Sequence, residues 1–183
     1  MKKRTTMLAL LLATGAGTCL QAQEKLTQFK VRDAITVRTP IMNDSINPKG
    51  EKYADKDLLK TPVVLDLADA PFQVLSTDTA GVLSFPKAEK DHSIYLLETS
   101  LRAERFMTGK LKVTSPARWE IFINGESKMS KENAEDSISG ASTREVNLRL
   151  EPEADYEITI KLLSGSKAVS YTHLRAHETS AHL

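Results

Sequence analysis

The sequence predicts a mostly β protein, an antiparallel β-sandwich of the immunoglobulin-like or jelly-roll kind. Two observations lead to this prediction. Apolar and polar residues alternate through most of the chain, which is the period of strands with one buried face. Turn-forming residues separate these short alternating segments. Each apolar face therefore needs a second sheet to pack against, and two antiparallel sheets satisfy that requirement.

Residues 1–22 are typical of a secretory signal peptide. A basic stretch at residues 2–4 precedes an apolar run at residues 7–13, which is too short to cross a bilayer as a helix. We predict cleavage after Ala22 and an exported mature chain, periplasmic or extracellular, with no further membrane segment. Cys19 is the only cysteine and would leave with the signal, so the mature fold would depend on its core without disulfides.

The C-terminal residues 169–183 have a different character. They match, without a gap, one reading frame of the transposon-end adaptor DNA used in sequencing libraries. We interpret them as a non-native tail and expect the natural gene to continue past about Ala168. His173 and His177 have the spacing of helical metal ligands, but a zinc-protease motif would need histidine in place of Ala181. We therefore assign no metal site to the tail.

The remaining residues, 23–168, form the predicted sandwich domain. The formal net charge of the whole chain is only +1, so no basic excess is present to neutralise a phosphate backbone. We therefore predict no nucleic-acid partner.

The first half of this domain combines short strands with one long polar segment. Residues 39–61 are polar and contain Pro and Asn, which predicts a long loop with one helical turn near residues 57–59. The predicted strands share apolar alternation and cover residues 29–31, 35–37, 63–67, 71–75, 81–85 and 92–97.

The second half alternates more regularly. Trp119, Ile121 and Ile123 share one face of a predicted strand, and Phe122 faces the other way. Asn124-Gly125 supplies the two positive-φ residues of a tight hairpin turn. Further predicted strands cover residues 101–113, 146–150 and 156–162, and a charged, mobile loop is predicted at residues 130–142.

No catalytic arrangement emerges from the domain. Residues 125–129 lack the second glycine of a serine-hydrolase nucleophile elbow, and His92, the only histidine outside the tail, is interpreted as a surface residue. The acidic clusters at residues 132–136 and 151–155 are interpreted as solvated turns, because they lack the opposed geometry of glycosidases and the pattern of calcium loops. We predict no catalytic residue, no cofactor and no metal in this chain.

Two kinds of surface feature are candidates for function. Phe122 is a candidate exposed aromatic that would stack on a sugar or pack against a neighbouring domain. Ser45, Thr79 and Ser137 each lie between an aspartate and an apolar residue, similar to a short O-glycosylation signal of exported proteins in some Gram-negative bacteria. The alternative for these three positions is ordinary turn chemistry, in which Asp, Ser and Thr are common.

Residues 96–126 and 148–156 resemble the N-terminal extension of secreted bacterial serine peptidases of the prolyl oligopeptidase family. The resemblance implies a non-catalytic accessory module whose partners are downstream domains of its parent chain, a β-propeller and an α/β-hydrolase domain. The catalytic triad that it implies would lie beyond residue 168, so no catalytic residue is assigned here. The hairpin at residues 119–125 also resembles jelly-roll modules of secreted glycoside hydrolases. The alternatives are therefore a carbohydrate-binding or spacer module and a free-standing structural β-domain.

Overall fold

The computed structural model describes residues 23–36, 46, 49–65, 71–86, 92–136, 138–164 and 171–181. Within these ranges the chain forms twelve strands, one short α-helix and one turn of 3-10 helix at Ile138–Gly140. The strands and the helix are, in order, β1 Gln23–Lys25, β2 Gln28–Arg32, β3 Ile35–Thr36, α1 Asp55–Leu59, β4 Phe72–Ser76, β5 Val82–Pro86, β6 Ser93–Arg102, β7 Met107–Thr114, β8 Arg118–Ile123, β9 Glu126–Lys131, β10 Thr143–Leu150, β11 Asp155–Ser164 and β12 Tyr171–Ala181.

The strands form two antiparallel sheets, which confirms the predicted β-sandwich. The five-stranded sheet has the order β1-β12-β7-β10, with β5 also paired to β12. The seven-stranded sheet has the order β4-β2-β6-β11-β8-β9, with β3 also paired to β6. Strand β11 lies at the centre of the second sheet, and its residues pair with β6 on one side and β8 on the other.

The main core lies between the two sheets. In β8, buried residues alternate with half-buried ones, and Trp119 and Ile121 are fully buried, as the alternation predicts. Truncating such a side chain to alanine typically costs about 2–5 kcal/mol. The facing side chains come from both sheets, among them Phe29, Val31, Leu97, Ile160 and Leu162 from one and Leu83, Leu111, Val113, Val146 and Leu148 from the other.

A smaller apolar cluster covers part of the outer face of the seven-stranded sheet. Leu58 and Leu59 of α1 pack against Ile94, Leu96 and Leu163 of that sheet. A five-residue helix is too short to be stable alone, so this contact holds α1 in place. The helix confirms the helical turn predicted near residues 57–59.

The strand predicted at residues 63–67 is wrong for the part that the structure describes. Residues 63–65 have no strand pairing there, and residues 66 and 67 lie outside the described ranges. Val63 and Leu65 pack partly buried on the smaller cluster, whereas Val64 is 68% exposed. Residues 63–65 are an extended segment that packs on a sheet face without pairing. Such a segment has the same apolar alternation as a paired strand, which explains the wrong prediction.

A buried lysine fastens this segment to the sheet. The Lys161 side chain is 3% exposed, and its Nζ donates a 2.6 Å hydrogen bond to the carbonyl oxygen of Thr61. Burial lowers the pKa of Lys161, and the Glu120 carboxylate 3.8 Å away offsets part of that effect.

The predicted hairpin turn at Asn124-Gly125 is confirmed. Both residues have positive φ, +51° and +76°, and the turn joins β8 to β9. The turn is also tied to β11, because Asn124 Oδ1 accepts a 2.8 Å hydrogen bond from the Glu157 backbone N–H. The Asn124 N–H returns a 2.9 Å bond to the Glu157 carbonyl.

The prediction of a mobile, charged loop at residues 130–142 is wrong at Ser130 and Lys131, which belong to β9. Lys131 ends β9 and is 2% exposed. Its Nζ donates hydrogen bonds to the carbonyl oxygens of Ser115 at 2.7 Å and Ala117 at 3.3 Å, and to the Glu135 carboxylate. Glu135 also accepts a 3.0 Å bond from Ser142 Oγ. This network anchors the following residues to the sandwich.

Burial and pairing shift the protonation of both charged groups in this network. Burial lowers the pKa of Lys131, and the Glu135 carboxylate offsets only part of that effect. Burial raises the pKa of Glu135, but the hydrogen bonds from Lys131 and Ser142 outweigh it, so the net pKa lies below the usual value.

Residues 171–181 form β12 in the five-stranded sheet. β12 pairs with β7 on one side and with β1 and β5 on the other. The interpretation of residues 169–183 as a non-native tail stays a prediction, and so does the domain boundary at residue 168. No helix in the described ranges is long and apolar enough to cross a membrane.

Candidate ligand groove

A groove of about 1140 Å³ lies at one end of the seven-stranded sheet. Its walls come from the beginning of β2, the end of β6, the beginning of β11 and the β8–β9 turn. Leu65, from the segment that packs on the outer face of the sheet, also contributes to the lining. The groove therefore combines strand residues, whose positions the sheet fixes, with turn residues at the rim.

One row of residues crosses the outer face of the sheet and runs beside this groove. Residues that are direct partners in neighbouring strands project from the same face. Across six strands the row consists of Val74, Lys30, Glu98, Thr159, Phe122 and Ser127.

A fixed ion pair forms part of the groove wall. Arg32 donates two hydrogen bonds to the Glu98 carboxylate, from Nε to Oε1 at 3.2 Å and from Nη2 to Oε2 at 3.1 Å. The side chains of Arg32 and Glu98 are only 6% and 12% exposed. The bidentate geometry fixes the orientation of the guanidinium plane relative to the carboxylate plane. Further lone pairs of the carboxylate can accept hydrogen bonds from a ligand.

An aromatic ring lies beside this pair. Phe72 is 44% exposed, and the guanidinium of Arg32 and the ammonium of Lys30 lie 5.0 Å and 5.3 Å from its ring centroid. These cation–π contacts hold the ring next to the charged groups. The exposed part of the ring offers an apolar contact surface.

The rim of the groove carries further polar groups. Arg102 forms ion pairs with Glu153 at 2.6 Å and Asp155 at 3.7 Å. Ser100 and Glu157 are direct partners in β6 and β11, and both are exposed. They therefore present a hydroxyl and a carboxylate side by side at the groove.

The groove is electrostatically balanced. Basic and acidic side chains line it in equal number, namely Lys30, Arg32 and Arg102 against Glu98, Asp155 and Glu157. Two of the basic groups already pair with acidic ones, Arg32 with Glu98 and Arg102 with Asp155. No strong field of either sign therefore favours a highly charged ligand.

The structure places Phe122, the aromatic residue singled out from the sequence, on the outer face opposite Thr159 and Ser127. Its side chain is half-buried, and it does not belong to the groove lining. Its role as a contact residue stays a prediction.

Of the three predicted glycosylation positions, only Thr79 can be placed. Ser45 and Ser137 lie outside the described residues. Thr79 is exposed in the turn between β4 and β5. Asp78 Oδ1 accepts hydrogen bonds from the backbone N–H groups of Ala80 at 2.9 Å and Val82 at 2.8 Å. The aspartate thus stabilises the turn, as the alternative proposed, and modification of Thr79 stays a prediction.

His92 packs at the base of α1. Its Nδ1 lies 3.7 Å from Asp55 Oδ1, and the same carboxylate pairs with Arg118 at 2.9 Å. These contacts connect the helix to the sheet. Among the described residues, no three His, Cys, Asp or Glu side chains are grouped in a way that could hold a metal ion.

Sequence reasoning did not find the groove residues. Arg32 and Glu98 are 66 residues apart, and nothing in the sequence pairs them. The signal available was the alternation of Lys30 and Arg32 with apolar residues in β2, which places both on the outer face.

Comparisons with known proteins gave matches only among solved structures. No family model matches the chain, and no curated protein matches it. A β-glucosidase from Kluyveromyces marxianus in complex with glucose is 14% identical with a TM-score of 0.47, over 64% of this chain and 14% of that one. A PA14 sugar-binding domain from an RTX adhesin is 12% identical with a TM-score of 0.42, over 84% of this chain and 90% of that one. A family 35 carbohydrate-binding module from an environmental isolate is 13% identical with a TM-score of 0.37, over 60% and 87%.

The chain spans only a small part of the β-glucosidase. The scores of all three structures lie below 0.5, so these likenesses carry no argument about the function of this chain.

Proposed function

We propose that this chain is a non-catalytic β-sandwich module that binds a carbohydrate in the groove at the end of its seven-stranded sheet. The observation that supports the proposal most is the fixed Arg32–Glu98 pair in the groove wall; the exposed Phe72 ring contacts Arg32 but lies next to the groove lining and not within it. Sugars present hydroxyl groups that both donate and accept hydrogen bonds, together with apolar C–H faces. Planar charged groups with an adjacent ring complement both features.

The ligand class follows from charge and size. The lining charges balance, which favours a neutral glycan over a polyuronate or a sulfated polymer. The groove volume of about 1140 Å³ exceeds the usual range for small-molecule pockets. We therefore propose a short stretch of a neutral polysaccharide as the ligand.

Affinity electrophoresis of the full chain in gels containing neutral polysaccharides tests this proposal. Glu157→Gln and Ser100→Ala remove exposed groove groups without touching the core. Glu157→Gln should weaken binding about 10-fold or more, since a hydrogen bond to a charged group is worth about 1.5–3 kcal/mol. Ser100→Ala should weaken it about 2- to 10-fold, since a neutral hydrogen bond is worth about 0.5–1.5 kcal/mol. Calorimetry with oligosaccharides of a retarding polymer measures the same change.

The matched control is Glu145→Gln on the outer side of the five-stranded sheet, where Glu145 pairs with Lys110 and Lys112. It should bind like the unmodified chain. Absence of retardation by every neutral polymer, or an equal loss in the control, contradicts the proposal.

The accessory role beside a serine peptidase stays a prediction that rests on the resemblance of residues 96–126 and 148–156. Sequencing the natural gene beyond codon 168 tests it. The prediction requires propeller-like repeats followed by a G-x-S-x-G motif. Export is likewise a prediction, and N-terminal sequencing of the secreted chain would check cleavage after Ala22.

A further inference from the structure

The two edges of the seven-stranded sheet differ in how they resist the addition of another strand. The β9 edge carries Glu126, Lys128 and Lys131, and charged residues on an edge disfavour pairing with a further strand. The β4 edge has the sequence Phe-Gln-Val-Leu-Ser, with no charged residue and no proline. Strand β4 itself therefore lacks the charged residues and proline that commonly protect an edge strand against pairing.

Strand β4 is also accessible. It pairs with β2 on one side, and in the described part of the chain no strand pairs with its other side. Four of its five residues are exposed, including Phe72 at 44% and Val74 at 59%. Every second residue of such an edge directs its backbone N–H and C=O groups away from the sheet.

The strand is complementary to a second copy of itself. In an antiparallel pair related by a two-fold axis at Val74, the two Val74 side chains lie opposite each other. Phe72 then lies opposite Ser76, and Gln73 lies opposite Leu75. The small serine leaves room for the aromatic ring, and the β-branched pair at the axis is favourable in a sheet.

Charge does not oppose this arrangement. Among the residues that the structure describes, Lys30 and Arg32 are the cations beside β4; they lie one strand inward on β2, and Arg32 is paired with Glu98. The two copies of Lys30 would be separated by three strand spacings, about 14 Å. This distance exceeds the Debye length of about 8 Å at physiological ionic strength, so their repulsion is screened.

We propose that β4 pairs with β4 of a second copy of this chain and joins two seven-stranded sheets into one. A contact of five residues on each side is smaller than the roughly 1,200 Å² of a stable interface. The association is therefore weak and reversible, with a dissociation constant on the order of 0.1 mM. The pairing does not require a bound carbohydrate, although Val74 of β4 also belongs to the groove lining.

Sedimentation velocity of the full chain over a concentration series up to about 0.5 mM tests the proposal. The weight-average mass should rise from 20.2 kDa toward twice that value. Val74→Glu should abolish the rise, because two carboxylates would meet at the axis. Within one copy the new carboxylate lies opposite Lys30, so the strand itself remains paired.

The matched control is Val64→Glu, since Val64 is 68% exposed and lies outside β4. It should associate like the unmodified chain. A constant mass of 20.2 kDa across the series, or an equal effect of the control, overturns the proposal.

A cross-linking measurement does not depend on how well the charged variant folds. Val74→Cys in a Cys19→Ser background should form a disulfide-linked dimer on mild oxidation, because opposite Cβ atoms in a sheet are about 4.5–5.5 Å apart. Val64→Cys in the same background should stay monomeric. Failure of Val74→Cys to cross-link faster than Val64→Cys also overturns the proposal.

Discussion

Replacement of the buried Lys131 by methionine isolates the contribution of one hydrogen-bond network to stability. Methionine keeps most of the apolar stem, which packs beside Trp119, its cross-strand partner. The change removes the ammonium that donates to Ser115, Ala117 and Glu135. The expected loss therefore reports on the polar contacts rather than on packing.

The magnitude follows from the groups left without a donor. The Ser115 residue is fully buried, and a buried acceptor without a hydrogen bond costs about 1–3 kcal/mol. The Ala117 carbonyl is only partly buried, and the Glu135 side chain is 26% exposed and can turn toward water. The methionine variant does not bury an ammonium group, and the desolvation cost that it avoids offsets part of the lost stability. We expect Lys131→Met to lower the free energy of unfolding by about 2–3 kcal/mol.

Urea denaturation followed by fluorescence measures this change, because Trp119 is the only tryptophan and is fully buried. Lys128→Met on the same strand is the matched control. Its ion pair with Glu126 is at the surface, where such pairs contribute about 0–1 kcal/mol. A loss below about 0.5 kcal/mol for Lys131→Met, or equal losses for both variants, would refute the assigned role of the network.

Two further predictions concern pH and the five-stranded sheet. The folded state lowers the pKa of Glu135 below 4.5, so its stabilising contribution is present above that pH and is lost as the pH falls through the folded value. Glu135→Gln should therefore reduce the decline in unfolding free energy as the pH falls below 4.5, and an unchanged decline would contradict this. Deletion of residues 169–183 removes the strand that pairs with β1, β5 and β7. Calorimetry should show a Tm lower by roughly 10 °C or more, whereas an unchanged Tm would mean that β12 adds no stability.

Much of the fold could be predicted because alternation reports which face of a strand is buried. In β8, Trp119 and Ile121 follow this rule, and their hydrophobicity identifies the inner face directly. The rule failed in β9, where the inward residues are Met129 and Lys131. The sequence does not distinguish a lysine whose stem is buried and whose ammonium is hydrogen-bonded from a lysine in solvent. Residues 130–142 were therefore predicted as a loop.

The groove could not be predicted because it depends on strand register. Lys30 meets Glu98 only because β2 pairs with β6 in one particular alignment. The same alignment brings Arg32 into contact with Glu98, which is 66 residues away along the chain. Phe122 could be assigned correctly to the outer face, because that assignment needs only the period of one strand.

The central position of β11 has a consequence for the order of folding during synthesis. Strands β6 and β8 do not pair with each other, because β11 lies between them and pairs with both. The two strands therefore cannot join one sheet before β11 has been synthesised. Residues 155–164 leave the ribosome about fifty residues after β6 does, and the seven-stranded sheet lacks a centre until then. Such non-local pairing folds slowly. Slow pairing of this kind would lengthen the time for which a newly synthesised chain remains unfolded.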